Sequence, residues 1–179
     1  MKYFKKIEGE RLYLSPINEE DVETYVKWMN DFSVTDGLGT SHNITTIYGE
    51  IDWIQNTIKS NDIQLAIVKK ENDTLIGNCS LHQINHYKKT STLGIFIGEE
   101  QERNKGYGTE TVKLLMKYGF EYLNLNNIML QVYSFNKRAI KSYKKAGFKE
   151  FGRRHNVITI KNKLYDEIYM EILKEDYFK

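Results

Sequence analysis

The run Leu93-Gly-Ile-Phe-Ile-Gly98, continued by Glu99-Glu-Gln-Glu-Arg103-Asn-Lys-Gly106-Tyr-Gly108-Thr109, decides how this chain is read. Its apolar first part reads as a strand, its polar middle as a loop, and the residues after Gly108 as the start of a long helix. Gly106 and Gly108 let the backbone approach a ligand closely, because glycine carries no Cβ and accepts positive φ without a clash. The first N–H groups of the helix have no intrahelical acceptor, and the helix dipole adds partial positive charge at that end. Together they suit a pyrophosphate, with Arg103 and Lys105 as additional cations. The pattern is not a dinucleotide fingerprint, since Thr-Glu-Thr111 stands where the third glycine is needed. Nor is it a Walker loop, which ends in Gly-Lys-Ser/Thr. Taken alone, two glycines in a tight turn explain it equally well.

Downstream, Asn136 precedes a helix over residues 137–145 that sets Ala139 and Tyr143 four apart on one face. Gly147 stops that helix before Phe148. Between the two segments, residues 109–123 read as a helix with Leu114, Leu115, Tyr118 and Tyr122 as its apolar face, and residues 128–133 as a strand. Upstream, residues 64–68, 75–85 and 91–98 read as an antiparallel meander with a turn at Glu71-Asn72-Asp73. Residues 11–15 form a short first strand stopped by Pro16. Asn18 and Asp21, with Glu19 and Glu20, mark a helix running to about Met29, with Val22, Tyr25, Val26 and Met29 on its buried side. Residues 30–45 carry Asp36-Gly37, Gly39 and Asn43 and read as a loop, residues 46–58 as a helix, and residues 148–173 as two strands turning near 161–163. The order is that of a mixed α/β domain, with the chemistry where the meander meets the strand–loop–helix.

Composition narrows the function classes. A chain of 179 residues can bury one full core and is short for two, so residues 1–179 are expected to form a single domain. A formal net charge of +2, with Lys and Arg scattered as pairs such as Lys69-Lys70 and Lys144-Lys145, argues against a nucleic-acid partner. No apolar stretch approaches the ~20 residues that span a bilayer, and the N-terminal residues lack an apolar signal core, so no membrane association and a cytoplasmic location are expected. The single cysteine, Cys79, excludes an internal disulfide, and its strand-like apolar surroundings point to packing rather than nucleophilic catalysis.

The two-part motif Arg103-x-x-Gly106-x-Gly108 and Asn136-x-x-Ala139-x-x-x-Tyr143-x-x-x-Gly147-Phe148 resembles the acetyl-CoA signature of the GNAT N-acetyltransferase superfamily. The layout is similar to its branch of ribosomal-protein N-terminal acetyltransferases and spermidine acetyltransferases. The resemblance is strongest over residues 75–148. It implies an α/β (α+β) GNAT fold: a central mixed, mostly antiparallel twisted sheet of about seven strands flanked by about four helices. It also implies transfer of an acetyl group from acetyl-CoA, as cosubstrate and without a metal, to a primary amine by direct attack. Phe96, Ile97 and Gly98 would then contact the pantetheine and acetyl groups. Arg103, Asn104, Lys105, Gly106, Tyr107, Gly108 and Thr109 would surround the phosphates, and Asn136 would hydrogen-bond the cofactor arm. Tyr143 matches the family's general acid, and a tyrosine hydroxyl keeps its proton at neutral pH. Beside each role stands a plainer one: strand packing for Phe96 and Ile97, a helix N-cap for Asn136, a core position for Tyr143.

The base and the acceptor are less defined. Some ribosomal-protein acetyltransferases carry a glutamate in the strand ahead of the motif asparagine, and the corresponding residue here is Gln131. His82, in mid-strand, is the candidate base, acting directly or through water, with a water chain to solvent as the fallback. The acceptor is expected to be a small-molecule amine or a peptide N-terminus. A polyamine would want carboxylates along its cleft, yet residues 75–85 hold Ser80 and Gln83 where spermidine acetyltransferases carry glutamates, and residues 32–46 hold only Asp36. Amino-sugar and antibiotic amines stay open. Trp28, His42, Trp53 and His86 are candidate cleft residues, with helix-face packing as the plainer role of both tryptophans. A catalytically silent acetyl-CoA sensor and a nucleotide-phosphate binder are the competing readings. Exposed β edges in this fold often pair, so a homodimer is a possible assembly.

Overall fold

The computed structural model describes residues 2–179. The strands are β1 (Ile7–Glu8), β2 (Leu12–Pro16), β3 (Ile63–Lys69), β4 (Leu75–Asn85), β5 (Thr90–Ile97), β6 (Asn127–Tyr133), β7 (Lys149–Ile160) and β8 (Lys163–Leu173). They form one eight-stranded sheet in the order β1-β2-β3-β4-β5-β6-β8-β7, antiparallel throughout except for β5 with β6. The helices are α1 (Val22–Met29), α2 (Phe32–Leu38), α3 (Ile47–Lys59), α4 (Tyr107–Lys117), α5 (Lys137–Ala146) and α6 (Lys174–Tyr177). The sheet and helix numbers are slightly above the expected seven and four. The additions are short elements: a two-residue β1, the single turn α6, and α2.

Both faces of the sheet are covered, which explains why Leu65 to Val68 of β3 are buried without alternation. On one face Val112, Leu115 and Met116 of α4 and Tyr143 and Ala146 of α5 pack against Leu12, Leu14, Leu65, Ile67 and Ile76. On the other, Tyr25 and Trp28 of α1, Val34 of α2 and Ile54 of α3 pack against Tyr13, Ala66, Val68 and Leu75. The aromatic pair Tyr25–Trp28, at 5.7 Å and near-perpendicular, anchors this second layer.

Three expectations are corrected. Residues 32–38 are helical rather than loop, because Asp31 caps the amide of Ser33 and Gly39, at φ 73°, closes the C-terminus. These caps outweigh the turn signal of Asp36-Gly37. The helix expected over 109–123 begins at Tyr107 and gives way after Lys117 to a π turn over Tyr118–Tyr122. The wider turn puts Phe120 in the core and leaves Tyr122 70% exposed, so Tyr122 is not on the apolar face. Pro16 does not stop β2 but is its last residue, opposite Leu65.

Candidate active site

The sheet forks at its centre. β5 and β6 pair in parallel only at Thr90–Asn127, Ser91–Ile128 and Thr92–Met129. Beyond Thr92 the strands separate, so backbone groups of β5 on the β6 side lose their ladder partners. A cavity of about 600 Å³ occupies the fork. Its walls include Leu93 to Ile97 of β5, Gln131 to Tyr133 of β6, the start of α4, and the face of α5 that carries Asn136, Ala139 and Tyr143.

At one end of the cavity α4 begins without a cap. Gly106, at φ 87°, is its N-cap residue and, among the described residues, no side chain caps the first-turn amides. The amides of Tyr107, Gly108 and Thr109 therefore have no intrahelical acceptor. A Cβ built on Gly108 would meet nothing within 4 Å, so this backbone borders open space on the cavity side. The helix start is held from behind. Arg11 donates to the Lys105 carbonyl at 2.8 Å and pairs with Glu110 at 3.0 Å. Thr109 and Ser142 hydroxyls, 2.7 Å apart, tie α4 to α5. These are the features an elongated, diphosphate-bearing cofactor requires, and the residues present fit one.

Arg103, Asn104, Gly106, Tyr107, Gly108, Thr109, Phe96, Ile97, Asn136, His82 and Tyr143 all line the cavity. Gly98 and Lys105 do not. Gly98 is buried, its N–H donates to the Ile76 carbonyl at 2.9 Å, and a Cβ there would run into the Trp28 ring. Lys105 is exposed and pairs with Glu102 at 3.1 Å. Arg103 turns back on the protein: it donates to the carbonyls of Ile97 (3.0 Å) and Gly98 (2.9 Å) and to the Ser33 hydroxyl (3.0 Å). It thus clamps the end of β5 to the loop and to α2. The cations that do face the cavity from α5 are Arg138, Lys141 and Lys145. Their spacing of three and then four residues sets them on one helix face, a sign present in the sequence beneath an outward look of scattered surface charge.

Deeper in, Tyr143 is 8% exposed, and burial pushes its hydroxyl up to about 12. Asn136 accepts from the Ala139 amide at 3.2 Å, so it is an N-cap that also lines the cavity. His82 is half-buried, and desolvation lowers its pKa below the ordinary 6.5. Its Nδ1 lies 3.1 Å from the Ser80 hydroxyl. Glu167 of β8, not anticipated from the sequence, also lines the cavity and accepts from the Tyr169 hydroxyl. It reaches the site through its register position opposite Tyr133. Such a cross-strand placement leaves no mark on local sequence.

A second cavity of about 540 Å³ abuts the first along Gly94, Ile95 and Phe96 of β5. Trp53 lines it, 40% exposed, whereas Trp28 is a core residue, 1% exposed. His42 and His86 are exposed and line neither cavity. Cys79 is buried, which raises its thiol pKa and suits packing rather than nucleophilic attack. Among the described residues no group of His, Cys, Asp and Glu is arranged to hold a metal, and no helix is long and apolar enough to cross a membrane.

The fold is that of an acetyltransferase. The chain belongs to the GNAT family: residues 11–149 match the family model described as an acetyltransferase (GNAT) domain. Among sequence relatives, N-acetyltransferase p20 of Bacillus licheniformis is 29% identical over 176 residues, covering 94% of this chain and 96% of the relative. The spermidine N(1)-acetyltransferase of Escherichia coli K12 is 35% identical over 101 residues, 56% of this chain and 54% of that one. In structure, the chain resembles the Vibrio cholerae spermidine N-acetyltransferase in complex with CoA and spermine. The TM-score is 0.87 at 22% identity, with 96% of this chain and 100% of the other covered. At that identity the likeness speaks for the fold alone.

Proposed function

We propose that this protein, with residues 1–179 as one catalytic domain, transfers the acetyl group of acetyl-CoA to the primary amine of a small molecule. The carrying observation is the uncapped start of α4, which opens into a cavity that extends to Tyr143. The names of relatives that act on spermidine or bind CoA and spermine support both the cosubstrate and a small-molecule acceptor. Bound acetyl-CoA would supply an activated thioester carbonyl. The amides of Tyr107, Gly108 and Thr109 would hold its diphosphate, aided by Arg138, Lys141 and Lys145, and the free edge of β5 near Phe96 and Ile97 would align the arm.

Within that frame each side chain has a proton task. His82, neutral at physiological pH, accepts the proton that an incoming ammonium must shed, either directly or through Ser80. The freed amine forms its bond to the acetyl carbon as the carbon–sulfur bond breaks. Tyr143 donates its hydroxyl proton to the departing sulfur and regains one from the new carbon–nitrogen centre, which sheds its second proton to become the amide, while free amides of β5 polarise the carbonyl oxygen. A silent acetyl-CoA sensor is favoured by one observation only, the uncharged Gln131 where a glutamate base would stand.

Gly108→Val tests the reading of the helix start. The new side chain would enter space that no protein atom occupies, so the fold should survive while the diphosphate site fills. Acetyl-CoA affinity by calorimetry should fall at least about tenfold, a loss of roughly 1.4 kcal/mol or more. Unchanged affinity, in a variant that melts like the parent, rules this site out.

A further inference from the structure

The second cavity contains a carboxylate that no described residue neutralises. Glu50 lies in the first turn of α3, is 6% exposed, and lines the cavity with Tyr25, Trp53, Gln64, Asn78 and Ser80. Its backbone N–H donates to the Thr46 carbonyl, but its carboxylate has no hydrogen bond or ion pair among the described residues. The neighbouring polar groups are occupied with one another: Gln64 donates to the Asn78 side-chain oxygen, and Asn78 donates to the Tyr25 hydroxyl at 3.2 Å. An acid in the first turn of a helix is favoured by the dipole, but an exposed one would serve that purpose as well. Burial without a partner is costly for a carboxylate and is tolerated where a cation can enter.

Position supplies the rest. The two cavities share the wall Gly94 to Phe96, and Ser80, facing the second, is hydrogen-bonded to His82, facing the first. A molecule lying in the second cavity can therefore present one end to the fork while its other end remains beside Glu50. Tyr25 and Trp53, with ring centroids 6.2 Å apart, offer π faces to a cation or an alkyl chain there.

We infer that the acceptor is a dibasic alkylamine, whose reacting nitrogen reaches the fork while Glu50 binds its second, unreacting ammonium. This rests on the acetyltransferase reading above and deepens it by naming the class of acceptor. The acidic residues absent from β4 and reduced to Asp36 in residues 32–46 are on this view made up by Glu50 of α3.

The test compares 1,4-diaminobutane with n-butylamine, which share a chain length and differ in the second nitrogen. In the parent protein the diamine should have a kcat/KM at least about tenfold higher, the scale of a charge-assisted hydrogen bond. Glu50→Gln, which keeps shape and removes charge, should bring the ratio of the two constants to near one. Melting temperature and acetyl-CoA affinity serve as fold controls. No preference for the diamine, or a preference that survives Glu50→Gln, overturns the inference while leaving the acetyltransferase reading intact. If neither amine releases thiol from acetyl-CoA, calorimetric titration of 1,4-diaminobutane decides: binding that Glu50→Gln weakens about tenfold supports the ammonium site, and its absence overturns it. Failure to bind acetyl-CoA at all would instead sink the reading of the fork.

Discussion

Tyr143 and His82 lie in one cavity yet are shifted by the same force in opposite directions. Desolvation disfavours whichever form carries charge, so it raises the phenol and lowers the imidazolium. The outcome is a phenol that keeps its proton and an imidazole that keeps its lone pair at neutral pH, as the proposed acid and base would need. Tyr143→Phe should lower kcat by about 10²-fold, within the range for losing a general acid, while acetyl-CoA affinity by calorimetry stays close to the parent's. The sign of the His82 shift sets the pH dependence. Protonated imidazole cannot accept a proton, so kcat/KM should fall on acidification, with its midpoint below 6.5. His82→Gln should lower kcat/KM and remove that acid limb. A limb that persists unaltered would assign the base elsewhere, and Glu167 is the next carboxylate on the cavity wall.

Asn136 shows how one side chain can serve two elements at once. Its Oδ1 caps α5, while its Nδ2 makes no hydrogen bond among the described residues. Asn136→Asp keeps the cap and removes the donor, so acetyl-CoA affinity should drop while the melting temperature changes little. Asn136→Ala should also lose about 1 kcal/mol of stability, or some 2–4 °C in Tm. Most of this architecture could be read from the chain, because β4 and β5 arise from apolar runs and α5 from a short apolar face between the cap Asn136 and the stop Gly147. The glycine-led helix start was legible for the same reason: its chemistry is local. What escaped was set by packing between distant segments. Tyr122 turns outward because the π turn rotates it, and Arg103 spends its donors on β5 carbonyls that only the folded loop brings near. Glu50 reads as an ordinary helix-start acid, since nothing nearby in sequence says that α3 lies across a cavity.

The two cavities meet along β5 and Leu38 of α2, which leaves room for both substrates of the proposed reaction together, and the buried Cys79 offers no covalent way-station. Initial-rate plots varying acetyl-CoA at several amine concentrations should intersect. Parallel lines would mean an acetylated enzyme and would contradict direct attack. The sheet also ends unevenly: β1 is two residues long, whereas β7 presents twelve along the opposite edge. That longer edge is where a second copy of the chain would add, with sedimentation as the measure. The fork itself has a mechanical side. With only three residue pairs joining β5 to β6, the chain before Ile97 and the chain after Asn127 meet along a narrow seam, reinforced by the α4–α5 contact. A molecule lodged across that seam splices the halves together. Amide hydrogens of Asn127 to Met129 should then exchange with solvent more slowly when the fork is filled, so that holding a donor also stiffens the protein that holds it.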